Sequence, residues 1–220
     1  GKDVRRSETL EMSTFYYAMR MKDGNVLRVA KETGSIKGMF FDAVKTGDVY
    51  DREYSSGDFS DYLHSIVGNG VFADPSTQLQ VRAGTGMQVI VSAGEGWIEG
   101  HKLINSADYP LTLPAADPLL ARIHRIIFYV DYTTREMGID FISGDPAISP
   151  TAPGLTRDVN KYQMCLAEIY VDKQTTAITQ GMITDTRGFS NICGWVTGLI
   201  EQVDTQTLFE QWSTAFSDYY

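Results

Sequence analysis

Long hydrophobic runs are missing from this chain of 220 residues. Nothing approaches the ~20 consecutive apolar residues that a membrane-spanning helix needs, and the first residues are charged without a following apolar stretch. The expectation is a soluble protein with no obvious secretion signal and no membrane insertion. Cysteine is scarce too, with Cys165 and Cys193 alone and at no metal-ligand spacing. A chain of this length buries a sizeable core without disulfides. Cys165, inside the apolar run Tyr162 to Val171, reads as a small buried hydrophobe. Cys193 follows a polar turn and is expected to be exposed, with no bond between the two in a reducing cytosol.

Positive charge is the next shortage. Lysine and arginine total 19 against 28 acids, a net charge of −9. Such a surface repels phosphate backbones and anionic lipid, which argues against nucleic acid as a partner. The histidines His64, His101 and His124 are isolated from one another and from other metal ligands. His124 lies in the strongest strand and reads as a satisfied core or edge histidine. No nucleophile elbow accompanies any serine. Gly84-Thr85-Gly86 and Gly94-Glu95-Gly96 lack the strand, helix and Gly-Lys-Thr/Ser ending of a phosphate loop, and read as hairpin glycines. Asp23-Gly24-Asn25 is too short for a calcium loop. Acid pairs are inevitable among so many carboxylates, but none is singled out. The reading is of a non-enzyme with no cofactor.

Short apolar strings set between glycine, proline and small polar residues are what the sequence does contain. Ile66 to Phe72, Leu79 to Ala83, Met87 to Val91 and Trp97 to Gly100 describe strands turning tightly on one another. Tyr109 to Pro114 carries two prolines and suits only an edge strand or an extended connection. Ala115 to Leu120 suggests one short helical turn. Arg122 to Tyr132 is rich in β-branched and aromatic residues and is expected at the centre of a sheet. Met137 to Ser143 should pair back on it, and Tyr162 to Val171 returns to strand. Ile178 to Ile183 is a weaker unit.

Upstream, Phe15 to Met21 and Val26 to Val29 flank Asp23-Gly24 as a hairpin does. A looser strand pair is suggested through Gly34 to Phe41. Residues 42–61, full of Asp, Ser, Gly and Tyr, read as a linker. Downstream, Val196, Leu199 and Val203, then Phe209, Trp212, Phe216 and Tyr219, recur at helical spacing. That stripe packs either on the β body or as a seam between identical chains, with Leu199, Val203, Phe209, Trp212, Phe216 and Tyr219 as the interface. The fold class expected is mainly β. An antiparallel β-sandwich body (61–193) follows an N-terminal arm and β-hairpin region (1–60) and precedes a C-terminal amphipathic helix (194–220).

Asp185 and Arg187 share one side of an extended segment, where pairing with backbone or with charges such as Arg125 and Asp131 would pin the chain. Trp97 and Tyr109 are candidates for stacking on a saccharide, although aromatic strands more often mean core and subunit interface.

The strings Gly70-Val71-Phe72, Leu79-Gln80-Val81, Trp97-Ile98-Glu99-Gly100, Leu111-Thr112-Leu113, Arg122 to Ile127, Pro150 to Asp158, Leu166 to Ile169, Ile178-Thr179-Gln180, Ile183 to Arg187 and Cys193 to Val196 occur in an order that resembles a module of tailed-bacteriophage and prophage structural proteins of Gram-positive hosts, often described as baseplate, tail or receptor-binding proteins. His124 departs from it, since relatives would carry an acidic residue there to pair with Arg122 or Arg125. Residues 1–60 lie outside the resemblance. It implies a non-enzymatic building block of a symmetric assembly, often a homotrimer, contacting other tail or baseplate proteins in a virion put together in the bacterial cytoplasm. The stripe ending at Tyr220 would then begin a trimeric stalk. The alternative reading is a carbohydrate-binding module that touches host cell-wall saccharide directly.

Overall fold

The computed structural model describes residues 21–22, 25–26 and 38–199. It is mainly β, with every strand pairing antiparallel and one α-helix among the described residues. The chain divides into two compact units, Gly1–Asp58 and Phe59–Tyr220.

In the first unit, β1 (Met21–Lys22) pairs with β2 (Asn25–Val26), Met21 opposite Val26 and Lys22 opposite Asn25. Most of the aromatic string before β1, and the residues after β2 up to Lys37, lie outside the described residues. The segment read as a linker is structured instead. β3 (Lys45–Thr46) and β4 (Val49–Tyr50) form a hairpin closed by Asp51, whose N–H donates to the Val44 carbonyl at 3.1 Å and whose carboxylate accepts from the Val44 N–H at 2.7 Å. Helix α1 (Ser56–Ile66) follows, and from Phe59 onward it belongs to the second unit. Ser55 and Asp58 cap it reciprocally: the Asp58 N–H donates to Ser55 Oγ at 3.1 Å, and the Ser55 N–H donates to Asp58 Oδ2 at 2.7 Å. Serine, glycine and aspartate are linker composition and capping composition alike, and here Phe59, Leu63 and Ile66 behind them at helical spacing decide for a helix. Ile66, expected to open a strand, ends α1.

Among the described residues the second unit holds three sheets. β5 (Gly70–Val71), β8 (Gly94–Ile98) and β9 (His101–Asn105) form one, in the order β5-β8-β9. β6 (Val81–Ala83), β7 (Gln88–Val91) and β10 (Tyr109–Thr112) form another, β10-β7-β6. The largest is four-stranded, β12-β11-β13-β14, from β11 (Arg122–Asp131), β12 (Glu136–Ile142), β13 (Lys161–Val171) and β14 (Ile183–Asp185). β11 is central, as its β-branched content predicts, and β12 pairs back on it. β10 is an edge strand, where the missing N–H of Pro110 costs least. The ladder of β11 with β13 shifts between Ile126 and Ile127, where Leu166 is the extra residue.

Ile126, Phe128 and Val130 alternate onto one face of β11 and meet Val71, Val89, Val91, Ile98, Leu103 and Leu111 of the two smaller sheets in one buried cluster. Gly94-Glu95-Gly96 is not a turn, as expected, but part of β8. A Cβ on Gly96 would stand 2.6 Å from the Phe128 ring, so glycine is what lets the two sheets approach there. Ala115 to Leu120 forms no helical turn. Asp117 precedes Pro118, which disfavours helical backbone, and its carboxylate takes the N–H groups of Leu119 at 2.8 Å and Leu120 at 2.9 Å. Ile178 to Ile183 yields a 3-10 turn (Gln180–Met182) before β14.

The last described stretch corrects the helix expected from residue 194. Residues 194–199 run extended beside 67–71. The Val71 N–H donates to the Gly194 carbonyl at 3.0 Å, Val196 to Val71 at 2.9 Å, Gly68 to Thr197 at 2.8 Å and Leu199 to the Ile66 carbonyl at 2.9 Å. With Gly194 and Gly198 in the segment, helix propensity is low and strand-like pairing satisfies the backbone instead. The remainder of the stripe, Val203, Phe209, Trp212, Phe216 and Tyr219, lies outside the described residues.

Candidate functional site

The densest set of polar contacts is centred on Asp185 and Arg187. Thr186 between them is buried, its hydroxyl donating to the Cys165 carbonyl at 2.7 Å and its N–H to Leu166 at 3.0 Å. The flanking side chains are thereby turned together. Arg187 donates Nε to Asp185 Oδ1 at 3.0 Å and Nη2 to Oδ2 at 2.6 Å, a bidentate pair. Its Nη1 donates to the carbonyls of Ser76 at 2.9 Å and Gln78 at 2.6 Å, more than a hundred residues away in sequence. The guanidinium also lies 5.3 Å from the ring centre of Trp195. Burial pushes the Asp185 carboxyl upward, but the hydrogen bonds and charge of Arg187 outweigh it and leave the group below its ordinary range.

Of the two kinds of partner expected, the backbone takes part and the charges Arg125 and Asp131 do not. Arg125 pairs with Glu168 at 2.7 Å and donates to the Pro153 carbonyl at 2.6 Å, which anchors the proline-rich loop. Asp131 pairs with Lys161 at 3.0 Å on the neighbouring strand.

His124 is 0% exposed, and neither ring nitrogen has a hydrogen-bond partner. It is a core histidine, but not the satisfied one expected. Its ring meets the Phe141 ring edge-on at 6.2 Å, and burial, with the Arg122 charge nearby, pushes its pKa down to about 4. Cys193, expected exposed, is 3% exposed, and Cys165 is wholly buried as expected. Both are free thiols. Burial pushes Cys165 up to about 11 and raises Cys193 as well, so neither is an available thiolate near neutrality.

Trp97 lies half-buried in β8, its indole nitrogen without a partner, while Tyr109 is exposed on β10 of the other three-stranded sheet. They share no sheet face. Leu199 is 49% exposed.

One constellation escaped sequence reasoning. Glu99 (φ 46°) and Gly100 (φ 80°) form the turn between β8 and β9, with both residues left-handed as a two-residue hairpin turn requires. A Cβ on Gly100 would stand 2.0 Å from the Ser60 carbonyl oxygen of α1, so the helix seats directly on the turn. The Glu99 N–H donates to Asn69 Oδ1 at 2.7 Å, and its carboxylate accepts from the Tyr132 hydroxyl. The His101 ring lies edge-on to Tyr132 at 5.7 Å. Burial first, then the Glu99 contact, raises the Tyr132 pKa and keeps the phenol a donor. The sequence signal was Glu-Gly after an apolar string. The partners, at positions 69 and 132, are set by tertiary packing.

Among the described residues no group of three or more His, Cys, Asp and Glu is placed to hold a metal ion, and no helix is long and apolar enough to cross a membrane. Compared with protein-family models, curated proteins and solved structures, the chain finds no match in any of the three.

Proposed function

We propose that this chain is a non-enzymatic structural protein of a tailed-phage or prophage virion, placed at the tail tip or baseplate, which works by self-association and supports host attachment. The observation that carries this reading is the ordered series of strings from Gly70 to Val196. Those strings supply strands β5, β6, β8, β11, β13 and β14 and the Asp185–Arg187 pair of one β body. Within the reading, the four-stranded sheet and the two smaller sheets are the layers of a β-sandwich. Apolar residues at helical spacing beyond Leu199 supply the contact between copies, as a homotrimer.

The test is the mass in solution. A complete chain should sediment as a trimer, and Trp212→Asp, which sets a charge on the stripe, should return it to monomer. A complete chain that stays monomeric at every concentration overturns the assembly.

A further inference from the structure

Two loops at one end of the long ladder of β11 with β13 present large aliphatic side chains to solvent. Leu119 is 76% exposed and Ile148 95% exposed. Both loops are fixed from behind. The Asp117 carboxylate holds the N–H groups of Leu119 and Leu120, and Gln174 donates its backbone N–H to the Asp117 carbonyl at 2.9 Å and its side chain to the Pro118 carbonyl at 3.2 Å. The Ala147 N–H donates to the Ala121 carbonyl at 2.8 Å, and that antiparallel bridge sets Leu119 and Ile148 on adjoining loops. Apolar side chains grouped at the surface mark a contact, and those on pinned loops lose little entropy when a partner covers them.

A concave surface lies at the other end of the same ladder. Tyr162 stands eight residues from Tyr170 along β13, about 26 Å at ~3.3 Å per residue. There a cleft of about 470 Å³ is lined by Tyr162, Trp195, Leu199 and Arg157 among others. Its aromatic walls are held as firmly as the loops: Arg187 lies 5.3 Å from the ring centre of Trp195, and Arg157 5.1 Å from that of Tyr162. Arg157 donates to the carbonyls of Gln163, Asn191 and Ile192 at 3.2, 3.0 and 2.7 Å, but it forms no ion pair among the described residues, and no carboxylate lines the cleft. On the loop at the far end, exposed Asp145, three residues before Ile148, likewise pairs with no cation among the described residues. The two ends therefore complement each other in shape and in charge. They cannot meet within one chain, because the ladder holds them apart.

We propose that Leu119 and Ile148 of one copy seat in the cleft of the next, with Asp145 set against Arg157. Two different patches meeting in this way make a head-to-tail contact, which closes into a ring where the rotation allows it. The inference rests on the reading of the chain as self-associating, and Leu199, expected in the seam between copies, lines the cleft, so the two contacts adjoin. The test is sedimentation equilibrium of the 220-residue chain carrying Ile148→Asp, which charges the protruding end, or Ser190→Trp, which fills the cleft. Both positions are exposed, so both variants should unfold at the parent temperature. Each alone should raise the dissociation constant of the assembly about tenfold or more. Their equimolar mixture should associate more tightly than either alone, because an intact contact then forms only between unlike chains. Leu119→Asp repeats the first arm on the second loop, and Asp145→Lys should weaken association more at low salt than at high. Variants of both ends that associate like the parent overturn the contact and leave self-association standing. A mixture no tighter than its components overturns the seating of loops in cleft, and an effect of Asp145→Lys that ignores salt overturns its match with Arg157. A monomeric parent overturns the self-association reading and this inference together.

Discussion

Arg187 ties together three parts of the chain that are distant in sequence: the end of β14, the loop at Ser76 to Gln78, and Trp195. Its side chain is 4% exposed, so replacing it leaves buried carbonyls without donors and Asp185 without its partner. Arg187→Met should therefore cost about 3 kcal/mol in denaturant unfolding, chiefly from the carbonyls of Ser76 and Gln78 left without a donor, since the Asp185 side chain is 46% exposed and returns to water. A loss within about 0.5 kcal/mol, the range of ordinary surface substitutions, would show that the pin is dispensable. His124 sets the acid response. Its folded pKa, about 4, lies below the ordinary 6.5, so the unfolded chain takes up the proton first and stability falls as pH drops from about 6.5 towards 4. The depressed Asp185 acts in the same direction at the lower end. The histidine contribution is on the order of 3 kcal/mol, and His124→Met should flatten the stability curve between pH 6.5 and 4. An unchanged pH profile in that variant would mean that the imidazole is solvated in the folded protein.

At the scale of elements, sheet apposition depends on Gly96. Gly96→Val should push Phe128 from its place and destabilise by about 2 kcal/mol or more, read as a lowered unfolding temperature. Ser55→Ala removes the cap of α1 and should cost about 1 kcal/mol, with reduced helical circular dichroism. The strands read most clearly from the sequence are those whose pattern is local. β11 declares itself by β-branched density and β10 by its prolines. The misread elements depend on groups the local pattern does not weigh. Ser55 and Asp58 turn linker-like composition into a helix start, Asp117 diverts a helical turn, and residues 66–71 draw 194–199 into extended pairing. The candidate sites follow the same division. The two-residue spacing of Asp185 and Arg187 puts them on one side of the chain, but their pairing with each other is not legible in it, and the carbonyls of Ser76 and Gln78 arrive through tertiary contact. Likewise Asn69, Arg157, Tyr162 and Trp195 meet in one cleft only because separate loops converge there.

For the whole molecule, the net charge of −9 opposes association with phosphate backbones and anionic lipid. Within the proposed function, the apolar residues at helical spacing that follow the β body in sequence are what would join copies of it. Sedimentation equilibrium of the 220-residue chain over a wide concentration range tests the central claim most directly. The account predicts a single species at three times the 24.5 kDa chain mass, reduced to one chain by Trp212→Asp. The 220-residue chain at 24.5 kDa throughout that range would contradict it.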